Sequence, residues 1–421
     1  MTLKEKDTQY IWHPYTQMQL NPNVIPIVKG EGAHLFDEDG NRYIDAVSSW
    51  WVSIHGHANK YIADRVYQQL LQLEQVIFAG FTHPSAVELA ERLLKHLPEN
   101  QKKVFFSDNG STAVEVAMKM AFQYFHNQGI ERKKIIAFKD AYHGDTFGAM
   151  SASGRSIFTA PFTPFLFDVV HIDVPTKDKE GDVVKEFVKL IEKEDVAAFI
   201  FEPLILGAGG MMMYEKSVLD KMLMYAKAAG VITIADEVMT GFGRTGRMFA
   251  SDHLEVKPDI MCLSKGLTGG TLPMGLTTCA NFIYDAFLSD EKSKALFHGH
   301  SFTGSPVGCA AALASLDLVE KLEFYENIKR IESALHVFAA SLFGNKKIFD
   351  IRHKGIVLAI DIKTSESTGY LNSSQQEIVN FFLQRKIILR PLGNVLYLMP
   401  PTVISDEDLN LVFDAIREFL K

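Results

Sequence analysis

The run Ile232-Thr233-Ile234-Ala235-Asp236-Glu237-Val238 constrains the fold more than any other stretch. An apolar run of strand length that ends on a carboxylate reads as a strand buried on both faces. It delivers Asp236 to the carboxyl edge of a sheet, where open α/β folds place their ligands. A second run, Ile260-Met261-Cys262-Leu263, ends on Ser264-Lys265-Gly266 and delivers a lysine in the same way. Further β-rich runs lie at 104–107, 135–138, 169–172, 196–201 and 276–280, and helical patterns at 113–127, 184–194 and 216–229 separate many of them. This alternation predicts an α/β fold with a mainly parallel, seven-stranded sheet covered by helices on both faces.

The ends break the alternation. Residues 24–47 read as a hairpin around the turn Asp37-Glu38-Asp39-Gly40. After a helix near 307–342, residues 348–421 read as strands, a helix, a Pro/Gly-rich segment and a final helix. A chain of 421 residues exceeds what one hydrophobic core usually supports. The expected organisation is a large domain of residues 51–325, with residues 1–50 and 326–421 combining into a small α+β domain.

Composition excludes several classes of function. The formal charge of −8 argues against a nucleic-acid surface, which needs a basic face. No apolar run of about eighteen residues predicts a membrane span. The N-terminal Met-Thr-Leu-Lys-Glu-Lys-Asp has no apolar core, so no secretory signal is expected. Cys262, Cys279 and Cys309 sit among apolar or small residues and read as packing residues in a reducing compartment, which points to the cytoplasm.

An acid and a lysine at neighbouring strand ends form an ordinary ion pair in many proteins. They also meet the needs of pyridoxal phosphate chemistry. The lysine holds the aldehyde as a Schiff base, and the acid keeps the pyridine nitrogen protonated so that the ring accepts electrons. Ser107-Asp108-Asn109-Gly110-Ser111-Thr112 follows a strand and opens a helix read from Ala113. Backbone N–H groups there face an anion, and the hydroxyls of Ser111 and Thr112 add donors; a plain N-cap has the same composition. Tyr142, in Asp140-Ala141-Tyr142-His143-Gly144-Asp145-Thr146, follows a strand and can cover a flat ring, although Gly, Asp and Thr also make surface turns. Gly207-Ala208-Gly209-Gly210 lacks the context of a dinucleotide motif and reads as a loop. His-Gly-His at 55–57 and 298–300 lacks metal-site spacing, and no metal is expected.

Glu202-Pro203, Asp236-Glu237-Val238, Gly241-Phe242-Gly243-Arg244-Thr245-Gly246 and Ser264-Lys265-Gly266 resemble, in order and spacing, the class III aminotransferases of the fold-type I pyridoxal phosphate superfamily. The resemblance covers nearly the whole chain. It implies that Lys265 is the Schiff-base lysine, which also moves the proton, and Asp236 the pyridine partner. Gly110 and Ser111 would bind phosphate, Tyr142 would stack on the ring and Val238 would pack beneath it. Members of the family are homodimers whose partner subunit closes the phosphate site, which implicates Gly299, His300 and Ser301. Many members carry Gln two residues after the Asp-Glu pair, where this chain has Met239.

Trp12-His13-Pro14-Tyr15-Thr16, Ser48-Ser49-Trp50-Trp51, Ile54-His55-Gly56-His57 and Leu389-Arg390-Pro391-Leu392-Gly393 narrow the resemblance. They are similar to the branch that aminates 8-amino-7-oxononanoate to 7,8-diaminononanoate in biotin biosynthesis. That keto acid is a long aliphatic chain with a carboxylate far from the reacting carbon. Trp50 and Trp51 can bury its methylenes, each worth about 0.8 kcal/mol, and Arg390 can clamp the carboxylate through its planar fork. Tyr15 and Tyr142 can orient the amino-ketone end. Taken singly, the tryptophans read equally as core and Arg390 as a surface ion pair. S-adenosylmethionine is the usual donor in this branch, and lysine the alternative. Arg244 meets a donor carboxylate or supports its loop. Other ω-aminotransferases of ornithine or 4-aminobutyrate, and the aminomutases and racemases of the superfamily, are the competing readings.

Overall fold

The structure is a computed structural model that describes residues 1–20 and 24–421. Its central sheet comprises β1 (Gln101–Ser107), β2 (Lys134–Phe138), β3 (Val170–Ile172), β4 (Val196–Phe201), β5 (Ile232–Asp236), β6 (Ile260–Leu263) and β7 (Gly275–Ala280). The strand order is β1-β7-β6-β5-β4-β2-β3. β5 runs parallel to β4 and β6, and β2 parallel to β4 and β3. β7 is antiparallel to both of its neighbours, β6 and β1. Every strand except β7 therefore ends on the same edge.

β4, β5 and β6 are buried at every residue, which is why they read as continuous apolar runs. Their side chains alternate between two cores. Ile232, Ile234, Ile260 and Cys262 pack with Ala113, Val114, Ala117 and Ala121 of helix α1 (Gly110–Asn127). Ala235, Met261 and Leu263 pack into the larger core on the opposite face, with Phe187, Leu219 and Met222. Asp236 shares strand parity with Ile232 and Ile234, on the α1 side. Cys262, Cys279 and Cys309 are buried free thiols.

The terminal segments meet. The strand Ile387–Ile388 pairs in parallel with Arg42–Asp45, joining the N-terminal strands to the C-terminal part of the chain. The expected single hairpin at 24–47 is instead a three-stranded meander, Ile27–Glu31, His34–Asp37 and Arg42–Asp45. The turn at 37–40 is present, with Asp37 Oδ1 accepting the N–H groups of Asp39 and Asn41. Gly32, at φ +56°, makes the second turn, a conformation that costs glycine little. The segment near 307–342 is two helices, Pro306–Val319 and Leu322–Ser341, and the second crosses the expected boundary at 325/326. Among the described residues, no helix is long and apolar enough to cross a membrane.

Candidate active site

Five parallel strands deliver their following residues to one edge. β1 leads to Asn109–Ser111, β2 to Tyr142–Thr146, β4 to Glu202, β5 ends on Asp236, and β6 leads to Ser264 and Lys265. All of these residues line one cavity of about 520 Å³ with Trp51, Val238 and Met239. Antiparallel β7 contributes no residue to that lining.

The acid is anchored before any ligand arrives. Asp236 Oδ2 lies 2.7 Å from His143 Nδ1, and Asp236 Oδ1 accepts the Val238 N–H at 3.1 Å. His143 is buried, and its Nε2 has no partner among the described residues. The neighbouring Glu237 has a different role. Fully buried, it accepts the Thr240 hydroxyl and the N–H groups of Ala250 and Ser251, which pins the loop after β5.

Lys265 stands at φ +47°, in the left-handed region. Its Nζ lies 4.6 Å from the Trp51 ring centroid. Burial pushes its pKa down to about 8, a shift that the negative charges of Asp236 and Glu202 oppose and Arg244 reinforces. A lysine so shifted is partly neutral near physiological pH and nucleophilic. Glu202 accepts the N–H groups of Tyr142 and Gly207 and is pushed up to about 7, first by burial.

The helix start differs from the sequence reading by one turn. α1 begins at Gly110, with Asn109 as N-cap bonding the Thr112 N–H. The Thr112 hydroxyl reaches Asp108 Oδ1 and the Asn109 carbonyl, so it is not an anion donor. The Ser111 hydroxyl is bound to Thr146, which in turn donates to Glu115. What remains for an anion are the N–H groups of Gly110 and Ser111, which have no partner among the described residues. The glycines keep this cradle open. A Cβ at Gly110 would lie 2.7 Å from Val238 Cγ1, and one at Gly144 would overlap Ser111 Oγ.

An aromatic chamber of about 290 Å³ adjoins the cradle, lined by Tyr15, Trp50, Trp51, Tyr142, Lys265 and Arg390 among others. The two tryptophans carry one cation each: Lys265 lies over Trp51, and the Arg390 guanidinium lies 4.0 Å from the Trp50 centroid. No carboxylate or carbonyl bonds Arg390 among the described residues, so its fork is free. Tyr15 is hydrogen-bonded to Asp145 and lies 3.3 Å from the Tyr142 hydroxyl. Burial and Asp145 push Tyr15 up to about 12, which keeps its O–H protonated. Trp51 is both core and wall. It is 4% exposed, and its Nε1 donates to the Tyr397 hydroxyl at 2.9 Å.

Arg244 lies outside the chamber and is 1% exposed. It donates to the Pro400 carbonyl at 3.1 Å and the Trp51 carbonyl at 3.2 Å, and burial lowers its pKa to about 9. Both contacts fit the supporting role, while its Nε is buried without a partner among the described residues. Gly299, His300 and Ser301 do not line either cavity of their own chain. His55 and His57 are engaged by Ser315 and Asp45. Sequence reasoning missed His143, Asp145, Phe158 and Tyr370. The first two stand beside Tyr142 in the same motif, and that proximity was the available signal. Phe158 and Tyr370, 4.7 Å apart, come from distant loops with no motif of their own.

Fold and site together define the class of fold-type I transferases, built on a lysine and an acid at the sheet edge. The chain belongs to the class III aminotransferase family, whose model, "Aminotransferase class-III", matches residues 15–420. It is 45% identical over 419 residues to the adenosylmethionine-8-amino-7-oxononanoate aminotransferase of Synechococcus elongatus, with 98% of each chain covered. The crystal structure of the enzyme of that name from Methanocaldococcus jannaschii superposes with a TM-score of 0.93 at 38% identity, covering 99% of this chain and 98% of that one. An omega transaminase from Pseudomonas jessenii in complex with PMP gives a TM-score of 0.93 at 27% identity, covering 99% of this chain and 97% of the other.

Proposed function

We propose that this chain is a pyridoxal phosphate-dependent aminotransferase that moves an amino group from S-adenosylmethionine to 8-amino-7-oxononanoate, giving 7,8-diaminononanoate for biotin synthesis. The observation that carries the substrate is the free Arg390 guanidinium in the same aromatic chamber as Lys265. A chain of methylenes between a reacting carbon and a distant carboxylate matches that layout. Short polar ω-amino substrates would leave the tryptophan faces uncovered. The names of the relatives above support the same reading.

The residues present fit the cofactor. The unpartnered N–H groups of Gly110 and Ser111 at the α1 N-terminus suit its phosphate, and Asp236, braced by His143 and Val238, suits a protonated pyridine nitrogen. Tyr142 and Val238 line the same cavity and would cover the two ring faces. When bound, pyridoxal phosphate supplies an electron-accepting ring next to the reacting carbon. Lys265 Nζ would hold the cofactor through its aldehyde and would serve as the base that moves the proton between the amine-bearing substrate carbon and the cofactor carbon. Asp236 would keep the ring nitrogen protonated, a fixed charge that needs no reorganisation. Tyr15, held by Asp145, orients the amino-ketone end. Donor and acceptor use one chamber in turn, which is ping-pong kinetics.

The proposal extends to a cytoplasmic homodimer. Gly299, His300 and Ser301 lie outside their own chain's site, and Phe297 and Phe302 beside them are 75% and 65% exposed, an apolar surface that suits a second copy. The buried free thiols suit a reducing compartment. The test is direct: purified enzyme with S-adenosylmethionine and 8-amino-7-oxononanoate should form 7,8-diaminononanoate, and borohydride should fix the cofactor on the Lys265 peptide. Cofactor fixed elsewhere, or amination of the keto acid only by a different amine, would overturn the corresponding part. Isomerisation of one amino compound without a consumed donor would favour an aminomutase.

A further inference from the structure

A second cavity, of about 420 Å³, lies beside the aromatic chamber. The two share a wall of Tyr142, Asp145, Phe158, Ala208, Tyr370 and Leu392. Lys265, Trp50 and Arg390 line only the first of the pair. A keto acid held between Lys265 and Arg390 has no use for the second space. The donor does: it carries a nucleoside beyond its amino-acid arm. Ligand sites for drug-sized molecules span roughly 300–1,000 Å³, so the 290 Å³ chamber suits a nine-carbon acid and is small for a sulfonium nucleoside.

We propose that the second cavity is the nucleoside subsite of the amino donor, with Asp140 holding the ribose diol and Arg155 facing the purine. This rests on the reading of S-adenosylmethionine as donor. Asp140 is one of the residues lining the cavity, and its carboxylate has no hydrogen bond or ion pair among the described residues. A carboxylate with both oxygens free is the natural acceptor for two vicinal hydroxyls. Its backbone is clamped on both sides. A Cβ on Gly154 would overlap the Lys139 carbonyl, and one on Gly209 would overlap the Asp140 carbonyl, so close packing fixes where the carboxylate starts. Burial raises the Asp140 pKa, with Asp173 adding to the shift, so new hydroxyl donors would stabilise its charged form.

Arg155 is placed as firmly. Its Nη1 donates to the carbonyls of Ser151 and Ser153 at 3.1 and 3.2 Å, while Nε and Nη2 have no partner among the described residues. Those N–H groups suit the ring nitrogens of a purine, which are acceptors. Phe158, Phe349 and Met212 supply apolar surface for stacking. Arg352, also in the lining, is already engaged through four of its five N–H groups by the carbonyls of Gly210 and Met211 and by Asp350 and Asp361.

The experiment follows the two half-reactions of the holoenzyme by cofactor absorbance, with adenosine as a separate probe. In the wild type, adenosine should compete with S-adenosylmethionine. Asp140→Ala should raise the half-saturating S-adenosylmethionine concentration about 10- to 100-fold, the loss of charge-assisted hydrogen bonds, and should abolish adenosine inhibition. The keto-acid half-reaction should be unaffected. Unchanged S-adenosylmethionine saturation in Asp140→Ala, or equal damage to both halves, overturns the subsite. If S-adenosylmethionine fails to react with the wild type, the donor reading falls separately. Adenosine binding by calorimetry then decides the cavity: binding lost in Asp140→Ala upholds it, and no binding to the wild type refutes it.

Discussion

Removing Arg390 tests the substrate more sharply than any other change. Arg390→Ala leaves no protein group orphaned, because no carboxylate or carbonyl bonds the guanidinium among the described residues. The fold loses only the stacking on Trp50 at 4.0 Å, about 0.5–1 kcal/mol at such a site. The keto acid loses more. Truncating one member of a desolvated charge pair costs about 2–5 kcal/mol, much of it from leaving the partner unpaired. Trp50 is 37% exposed, so solvent reaches this end of the chamber and selects the lower part of that range. About 2–3 kcal/mol corresponds to a loss of about 30- to 150-fold in keto-acid kcat/KM. Single-turnover absorbance measurements should place that loss in the keto-acid half-reaction, with the donor half close to wild type. Arg390→Lys should recover only part, since an ammonium cannot grip a carboxylate through two parallel bonds. Equal losses in both halves, or normal keto-acid saturation in Arg390→Ala, would show that the carboxylate is held elsewhere.

Three further outcomes are expected. Burial lowers Lys265 from 10.5 to about 8, so between those values the unfolded chain binds a proton that the folded apoenzyme does not. Apoenzyme stability should therefore rise with pH across that window, and Lys265→Met should abolish the rise in denaturant titrations. Gly144→Ala, at φ +132° and against Ser111 Oγ, should cost about 1–3 kcal/mol of strain and loosen the cofactor, measured by its loss on dialysis; full retention would count against the cradle. Arg244→Met leaves the Trp51 and Pro400 carbonyls unpaired, about 1–3 kcal/mol each, so thermal unfolding should drop. A donor-specific kinetic defect with unchanged unfolding would restore Arg244 to the substrate.

The parts of the site legible in the sequence are those that a buried strand positions. Asp236 and Lys265 follow apolar runs, and a run buried at every residue has one edge at which to release a polar side chain. Gly110 and Ser111 were legible for the same reason, as the strand-to-helix junction after β1. The division of labour within each motif was not. Asp236 and Glu237 are adjacent acids, yet only the three-dimensional path of residues 240–251 turns Glu237 inward as a loop anchor. Arg244 sits in a glycine-rich motif that reads equally as meeting a donor carboxylate or supporting its loop, and its partners are carbonyls at Trp51 and Pro400, far away in sequence.

The aromatic wall shows why such partners stay hidden. Ser48, Ser49 and Trp51 all have positive φ, as do Tyr15 and Lys265. Propensity alone rejects that conformation for non-glycine residues, and its cost is of the order of 1–3 kcal/mol each. It persists because remote groups over-determine it. Asp45 accepts the N–H groups of Val47 and Ser49, the Ser48 hydroxyl donates to the Met399 carbonyl, and Arg244 holds the Trp51 carbonyl. Each restraint joins the 45–51 turn to itself, to the loop after β5 or to the C-terminal segment near residue 400. The wall that presents Trp50 to Arg390 is thus a product of tertiary contacts. Its residue types are written in one short motif, and its shape is written in several distant ones.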